Sequence, residues 1–399
     1  MLSQLSIVII ILWSAAIGGS APPTKPPPTT SNPDRNRARI FYRPDSRSPS
    51  DVREAGGFWP QGMTRGNFLR LPPNTSLFNH VATHRWTRYD DAGYVSTTRS
   101  LDAAVRVLRR SGLLSGGFVY EIRATPNFID VEGSLGDFHQ GPKEQEMAAL
   151  GGIQFQQIVA WRQVDEASDR PGYYNVFRTP NRQYVPALFD AVSPGGVKAQ
   201  LAGFPPDHIA FKEKMEPWCG AAIGKPTPAE EGDEEEEGRC ALVDETPLQT
   251  ATEYMASIMR VSGLTVHASV SVKSWAGVTD SLLLSLGGSK AIMLFRDPYP
   301  GKTVDLSVDV EEAFGRRDVY VSDLANVGLV AMPVPHPIAT RNIHIQGFHL
   351  TINTTIFGDR FEMNKFRNLD RELDSNKTLI PTEVWAGEVR PEDWESVTL

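Results

Sequence analysis

After Gly263 the sequence changes from a mixed pattern to a series of short strand-like runs. The runs are separated by turn residues without helix-like segments between them: LTVHASVSV, SLLLSL, AIMLF, TVDLSVDV, DVYVSDL, VGLVAMPV and NIHIQGFHLTI. The fourth run alternates cleanly and predicts one apolar face, made of Val304, Leu306, Val308 and Val310. Short strands at this spacing are typical of a β-sandwich. We therefore predict an all-β, sandwich-like C-terminal domain over residues 263–399.

The part before this change alternates irregularly between strands and helices. ARIFYR (38–43) and GYVSTT are predicted strands, and SLDAAVRVLRRSG is a predicted amphipathic helix. In SPSDVREAGG, Ser48 is a predicted N-cap, Pro49 takes the first helical position and Asp51 completes a capping box. TPLQTATEYMASIMRVSG predicts a further helix that begins after the N-cap Thr246. No G-x-G-x-x-G follows a strand, so this α+β pattern does not support a Rossmann dinucleotide site.

Length and charge narrow the class of protein. The chain has 399 residues, which favours two domains over a single core. Its formal net charge is −8 and its pI is about 5.6, and the strongest charge run, EEGDEEEE, is acidic. Nucleic-acid-binding domains normally carry a basic surface, so we do not expect a nucleic acid as partner.

The N-terminus predicts secretion. Residues 1–20 have an unbroken apolar stretch at 7–13, and Ala16-Ile17-Gly18 fits a small-x-small cleavage site, as in a signal peptide. A membrane anchor is the alternative, although the apolar stretch is shorter than the roughly 20 residues that a spanning helix needs. The lack of Lys or Arg near the stretch weakens the signal-peptide interpretation. Residues 21–37 are rich in Pro and Thr and predict an extended linker.

The chain has two cysteines, Cys219 and Cys240. In an oxidising compartment they are expected to form one disulfide, whereas a cytosolic protein would keep two free thiols. The segment between them has no apolar periodicity and predicts an exposed loop, which is where proteases cut. Arg239 is a better trypsin-type site than Lys225, which precedes Pro226. A cut there would leave two fragments joined by the disulfide.

The stretch GPKEQEMAALGG, residues 141–152, holds two glutamates two positions apart. In an extended backbone Glu144 and Glu146 would point to the same side. Paired carboxylates suit the cleavage of a glycosidic bond through a cationic transition state. An E-Q-E string on its own is most often a solvated turn, so the pair gains meaning only from its context.

That context is a set of three motifs in a fixed order: FYRPDSRSPSDVREAGGFWPQG, DDAGYVSTT and GPKEQEMAALGG. Together they resemble the arginine, S-T-S and E-x-E motifs of the ADP-ribosyltransferases typified by cholera toxin and heat-labile enterotoxin A chains. The resemblance continues through FNH, LAGFPPDHIAF and EPWCG and covers residues 38–262. It implies an ADP-ribosyltransferase catalytic domain over 38–218, a disulfide-closed activation loop over 219–240 and a linker helix over 241–262.

The resemblance also implies roles for the first motif. Arg43 would hold the phosphate side of NAD, a task that suits the planar fork of a guanidinium. Asp45, Ser46 and Arg47 would complete the motif and shape the site. The ordinary alternative for Arg43 is a surface arginine before a proline.

The second motif would form the nicotinamide end of the site. Ser96 and Thr97 match its first two residues and would brace the pocket and the catalytic glutamate, although β-strand propensity alone also explains them. Thr98 stands where the family usually has serine and keeps the hydroxyl. His80 matches a histidine that the family places near NAD, but a lone histidine is as often structural. The segment VATHRWTRYDDAG would cover the empty pocket, and it departs from the family in sequence and length.

Glu146 would be the catalytic glutamate, and Glu144 would engage an arginine acceptor. The chain would then be a secreted, toxin-like enzyme that transfers ADP-ribose from NAD, used as substrate, to an arginine of a target protein. Two alternatives are an NAD glycohydrolase with water as acceptor and an inactive binding protein on the same scaffold. No metal is expected, since the odd spacing of His344 and His349 puts them on opposite faces of a regular strand.

Partners and location follow from the same resemblance. The family suggests a heterotrimeric G-protein α subunit as the target. A separate binding subunit, or a receptor contacted by the C-terminal domain, would complete the toxin. Loop cleavage and disulfide reduction would activate the enzyme, and the catalytic fragment would act inside target cells.

Overall fold

The computed structural model describes residues 39–61, 63, 67–83, 93–110, 117–139, 145–164, 178–219, 240, 245–273, 280–333, 342–357, 360–374 and 380–397. The predicted signal peptide and linker, most of VATHRWTRYDDAG, Glu144 and the interior of the 219–240 loop lie outside these residues. Ala38–Leu399 form one compact unit. Across the described residues, no helix has the length and apolar character needed to cross a membrane.

The first half of this unit is mixed α+β, as predicted. Its strands are β1 (Ile40–Asp45), β2 (Gly57–Phe58), β3 (Tyr94–Thr98), β4 (Gly117–Arg123), β5 (Phe128–Asp130), β6 (Glu146–Leu150), β7 (Ile153–Gln154), β8 (Ile158–Val164) and β9 (Arg178–Pro180). Its helices are α1 (Pro49–Glu54), α2 (Leu77–Thr83), α3 (Leu101–Arg110), α4 (Val131–Leu135), α5 (Pro186–Phe189), α6 (Ile209–Lys212) and α7 (Pro247–Ile258).

Local sequence rules explain where several helices begin. Ser48 and Asp51 make the reciprocal hydrogen bonds of a capping box at α1, which satisfies backbone donors that no helical carbonyl can reach. Thr246 caps α7 by accepting a hydrogen bond from the backbone of Gln249. Helix α3 buries the apolar stripe that its sequence predicts against β3, β4 and β1, the last through Tyr42. These three predictions are confirmed.

Seven strands form one antiparallel sheet in the order β5-β6-β3-β1-β4-β8-β9. Strand β3 lies between β6 and β1, so the three motifs of the sequence occupy three adjacent strands. Thr98 of β3 faces Glu146 of β6 and also pairs with Tyr42 of β1. This strand order sets the ends of the motifs side by side.

The second half is rich in strands, as predicted. The strands are β10 (Val261–Val270), β11 (Ser281–Leu286), β12 (Ile292–Phe295), β13 (Thr303–Val308), β14 (Asn326–Met332), β15 (Asn342–Thr354), β16 (Arg360–Met363), β17 (Arg371–Asp374), β18 (Thr382–Glu388) and β19 (Trp394–Ser396). One sheet has the order β13-β10-β15-β16-β19, with β17 also paired to β15, and the other has the order β12-β11-β14-β18. Side chains of both sheets belong to one apolar cluster. The sandwich arrangement itself stays a prediction.

Two details of the predicted strands are wrong. The run DVYVSDL is not a strand: it holds an isolated bridge at Tyr320 and a 3-10 helix at Val321–Leu324, where the Asp323 carboxylate accepts a hydrogen bond from the backbone of Tyr320. Val310 does not extend the alternating face of β13, because β13 ends at Val308 and Val310 begins the short helix α8 (Val310–Phe314). The side chain of Asp309 accepts a hydrogen bond from the backbone of Glu312 and so caps this helix. An N-cap aspartate followed by two glutamates favours a helix start over a continued strand.

The two halves share part of their core. Phe68 and Phe357 are fully buried, and their ring centroids lie 4.5 Å apart. At the surface nearby, Arg70 Nη2 lies 2.7 Å from Glu395 Oε1. The predicted domain boundaries stay a prediction, but the packing between the halves is apolar and continuous across them.

Candidate active site

Arg43 is held in place by contacts with β3, with its own strand β1 and with β2. Its Nη1 donates a hydrogen bond of 2.8 Å to the backbone carbonyl of Ser96, and its Nη2 donates one of 3.2 Å to Asp45 Oδ2. The guanidinium carbon lies 5.0 Å from the centroid of the Phe58 ring, which is within range for a cation–π interaction. Burial lowers the pKa of Arg43 and the charge of Asp45 opposes the change, but an arginine stays protonated in proteins.

Asp45 forms a bidentate interaction with Arg47 through both carboxylate oxygens. Arg47 Nε donates to Oδ1 and Nη2 donates to Oδ2, each at 2.9 Å, and the backbone of Arg47 adds a third bond of 3.0 Å to Oδ1. Burial acts to raise the pKa of Asp45, but the hydrogen bonds from Arg47 and the charge of Arg43 together lower it. Such a bidentate pair is rigid and charge-assisted. Ser46 lies exposed in the bend between the two residues. We refer to Arg43, Asp45 and Arg47 as the arginine network.

A second group forms around His80. Its Nε2 lies 3.1 Å from Ser96 Oγ and 3.2 Å from Glu146 Oε1, and we call these three residues the histidine cluster. His80 comes from α2, Ser96 from β3 and Glu146 from the first position of β6. His80 is 7% exposed and Glu146 is 8% exposed, so the contact is made away from bulk water. An ionised carboxylate can only accept, which makes His80 the donor in its bond to Glu146.

Ser96 joins the two groups, since its side chain contacts His80 and its carbonyl accepts from Arg43. Thr97 is not brought to the histidine cluster. Alternation along β3 turns its side chain to the opposite face from Ser96, where Oγ1 donates 2.6 Å to the carbonyl of Met147.

The turn before Glu146 differs from the sequence expectation. Gln145 has a φ of 51°, in the left-handed region, which costs a non-glycine residue about 1–2 kcal/mol. Its carbonyl accepts a hydrogen bond of 3.2 Å from the backbone of Arg99. The extended backbone assumed for pairing Glu144 with Glu146 is therefore absent at Gln145. Glu144 itself lies outside the described residues.

Comparison with known proteins identifies the family. The family profile named heat-labile enterotoxin alpha chain matches residues 28–269, more than half of the chain. The chain belongs to the heat-labile enterotoxin alpha chain family. This confirms the resemblance seen in the sequence, and residues beyond 269 lie outside the match.

Individual relatives align over the same part. An NAD(+)–arginine ADP-ribosyltransferase named Chelt, from Vibrio cholerae, is 38% identical over 190 residues, which is 46% of this chain but only 30% of that protein. The heat-labile enterotoxin IIA A chain of Escherichia coli is 37% identical over 186 residues, or 45% of this chain and 69% of the relative. A crystal structure of a heat-labile enterotoxin mutant from Escherichia coli aligns with 45% of this chain and 95% of its own, at 33% identity and a TM-score of 0.36.

Sequence reasoning missed one residue of this enterotoxin-family site. Phe58, fully buried in β2, lies under both guanidinium groups of the arginine network, 5.0 Å from Arg43 and 5.1 Å from Arg47. Its ring also meets Tyr120 edge-on at 5.0 Å, and the Tyr120 hydroxyl donates 2.6 Å to the carbonyl of Arg47. The G-G-F-W string gives no signal of this role beyond an apolar residue after a helix stop.

Two further features are the pairing of the cysteines and the side chains that could bind a metal or a ligand. Cys219 and Cys240 are joined in a disulfide. In the part of the chain that the structure describes, no three or more His, Cys, Asp or Glu side chains are grouped to hold a metal ion. Arg43 Nε is buried and has no hydrogen-bond partner in these described residues. The site thus combines a cationic side at the arginine network with a buried carboxylate at the histidine cluster.

Proposed function

We propose that this protein is a protein-arginine mono-ADP-ribosyltransferase that uses NAD as its substrate. The observation that carries the proposal is the link through Ser96, which ties the cationic arginine network to the carboxylate of Glu146. NAD has the matching polarity, with an anionic pyrophosphate at its middle and a cationic nicotinamide at one end. The name of the Vibrio cholerae relative supports the same acceptor.

The reaction needs one bond to break and one to form. The bond between the ribose C1′ and the nicotinamide nitrogen breaks, and nicotinamide leaves with the electron pair. The resulting oxocarbenium ion is stabilised by the carboxylate of Glu146, which His80 and Ser96 hold in position. Arg43 contacts the phosphate side and fixes the rest of the NAD molecule, while Asp45, Arg47 and Phe58 fix Arg43.

The acceptor step separates two candidate functions. In transfer, a guanidinium nitrogen of the target attacks C1′ and gives up a proton, which Glu144 would take. In an NAD glycohydrolase, water attacks instead and no acceptor carboxylate is needed. We favour transfer because the second glutamate of the motif is present in this chain.

Activation, location and partners belong to the same proposal. Cleavage between Cys219 and Cys240 and reduction of their disulfide would remove the covalent link between the catalytic part and the chain after the loop. The protein would be exported, and its catalytic fragment would act inside target cells on an arginine of a protein such as a G-protein α subunit. A separate binding subunit or a receptor would contact the C-terminal half.

The test uses protein cut with trypsin, reduced, and incubated with labelled NAD and agmatine, a small arginine mimic. Labelled ADP-ribosyl-agmatine is expected, and Glu146→Gln should reduce its formation about 100- to 1,000-fold. Glu132→Gln, at an exposed glutamate of α4, is the matched control and should keep full activity.

Two results would contradict the proposal. Free ADP-ribose without adduct would favour the glycohydrolase, and no turnover of NAD would favour a binding protein on this scaffold. Glu144→Gln distinguishes transfer from hydrolysis, because transfer of ADP-ribose to agmatine should be lost while hydrolysis of NAD continues. Full transfer by that variant would remove Glu144 from the mechanism.

A further inference from the structure

Four chain connections cross between the two C-terminal sheets at one end. They join β10 to β11, β12 to β13, β14 to β15, and β17 to β18. The strand register puts them together, since Val270 pairs with Ile345 near the start of β15 and Ser281 pairs with Met332 at the end of β14. We call the described residues of these four connections, with Met332, the loop end: 271–273, 280, 296–302, 332–333 and 380–381.

Large apolar side chains are exposed at the loop end. Val272 is 78% exposed, Ile380 is 68%, Tyr299 is 60% and Met332 is 38%. Within the described residues of the C-terminal half, every exposed large apolar side chain lies there. Scattered single apolar residues on a surface are ordinary, but their confinement to one end of two sheets indicates a contact surface.

The backbone that carries these side chains is tied down. Val270 donates from its backbone 2.8 Å to the carbonyl of Lys302, and Ser281 Oγ donates 2.6 Å to the carbonyl of Arg296. A Cβ placed on Gly301 would lie 3.6 Å from the side chain of Val272, so two of the connections lie close together. The backbone of Ser271, beside Val272, also donates 2.8 Å to the carbonyl of His344, and that of Lys302 donates 3.0 Å to the carbonyl of Tyr299, so the backbone at Val272 and Tyr299 is held in place.

The loop end also carries basic side chains. Lys273, Arg296 and Lys302 are the basic residues of the loop end, and Asp297 is its surface acidic residue, since Asp280 is fully buried. Lys302 Nζ lies 5.0 Å from the Tyr299 ring, and Lys273 Nζ is paired with Asp370 Oδ2 at 3.1 Å. Since Asp370 offsets Lys273, the remaining surface charges of the loop end are Arg296 and Lys302 against Asp297, which leaves one positive charge in excess in a chain with a net charge of −8.

We propose that the loop end binds a lipid membrane that carries anionic headgroups, with Val272, Tyr299 and Ile380 inserted into its interfacial layer. Separate protruding side chains suit a soft, flat surface, whereas a protein interface needs a packed central patch. Tyrosine is favoured at the level of lipid headgroups. Lysine and arginine beside it bind anionic lipids with an energy that salt screens.

The experiment measures co-sedimentation of the full chain with vesicles. One vesicle set is phosphatidylcholine, and the other contains a third of phosphatidylserine. The protein is expected to bind the anionic vesicles about tenfold more tightly, and raising the salt concentration should reduce this preference. Equal binding to both sets at low salt, or no binding to either, overturns the proposal.

Matched variants show whether the loop end is responsible for vesicle binding. The triple variant Val272→Asn, Tyr299→Ser and Ile380→Asn should lose about tenfold or more in vesicle affinity, because each change removes exposed apolar surface. Leu188→Asn with Ile209→Asn, at exposed apolar residues of the catalytic half, should bind like the parent. Both variants should keep the solution activity with agmatine, which separates this proposal from the proposed catalysis. If the triple variant still binds vesicles fully, or loses only binding to a purified protein receptor, the membrane assignment is wrong.

Discussion

Nε2 of His80 lies 3.2 Å from Oε1 of Glu146, and both side chains are buried. Helix α2 brings the histidine to the first residue of β6 across a separation of 66 residues in the chain. The contact gives the buried carboxylate a hydrogen-bond donor, without which its burial would be costly. Ser96 Oγ lies 3.1 Å from the same nitrogen and so helps to position the imidazole that contacts the carboxylate.

Replacing this donor should slow the reaction more than it weakens NAD binding. In His80→Ala the carboxylate loses a charge-assisted hydrogen bond, which contributes about 1.5–3 kcal/mol and corresponds to roughly 10- to 150-fold in rate. The expected result is a fall in kcat with little change in KM for NAD, measured with agmatine as acceptor. His139→Ala, at a histidine outside the site, is the control and should leave kcat unchanged. A rise in KM with kcat preserved would show that His80 binds NAD instead of positioning Glu146.

Arg43→Lys should impair the site although the charge is kept. Arg43 reaches the Ser96 carbonyl and Asp45 with two different nitrogens, and a lysine ammonium cannot reproduce that planar fork. We expect kcat/KM for NAD to fall about 100-fold or more, since two hydrogen bonds with a charged group are lost and each corresponds to roughly 10- to 150-fold. Arg39→Lys, at a half-buried arginine just before β1 that donates 3.1 Å to the carbonyl of Asp190, is the matched control. An unchanged kcat/KM in Arg43→Lys would contradict a role that depends on geometry.

Asp45 should make stability depend on pH at the acidic end. Its pKa lies below the usual 3.8 in the folded protein, despite burial, because Arg47 and Arg43 stabilise the carboxylate. A lowered folded-state pKa gives stability that is fully present above the unfolded pKa and is lost as the pH falls through the folded one. The difference in unfolding free energy between the parent and Asp45→Asn should therefore be constant from pH 7 to pH 5 and shrink below about pH 4.

Urea unfolding at several pH values measures this difference. Asp137→Asn, at an exposed aspartate, provides the comparison and should not reproduce the effect. A difference between parent and Asp45→Asn that grows on acidification would reverse the sign and refute the assignment.

The features that sequence predicts here are those with a local cause. The start of α1 follows from Ser48 and Asp51 three residues apart, and the motifs around Arg43 and Glu146 are recognisable by their order. The neighbours of β3 have no local signal, because β1 and β6 pair with it from about 50 residues away on either side. The position of Phe58 beside Arg43 and Arg47 also has no local signal in the sequence.

Two other differences have separate causes, one distant in sequence and one local. The left-handed turn at Gln145 is held by the backbone of Arg99 in another strand's loop, which no pattern within E-Q-E reveals. The end of β13 can be predicted from Asp309, because an N-cap aspartate favours the start of a helix over a strand that continues to Val310. Long-range pairing thus limits the prediction of the site more than local propensity does.

The contact between Phe68 and Phe357 should couple the stability of the two halves. Both rings are fully buried 4.5 Å apart, one in the catalytic half and one after β15. Phe357→Ala leaves a cavity against Phe68, and such truncations cost about 3–5 kcal/mol. If the halves unfold together, the loss lowers the stability of both.

Urea unfolding followed by far-UV circular dichroism, with agmatine transfer as the probe of the catalytic half, measures this coupling. In Phe357→Ala both signals should be lost at the same, lower urea concentration. Tyr299→Ala, which truncates an exposed aromatic residue of the same half, should change the free energy of unfolding by less than about 0.5 kcal/mol. Retention of catalytic activity at the parent's urea concentration, with an early loss of the circular dichroism signal alone, would show that the halves unfold independently and that the shared core does not couple them.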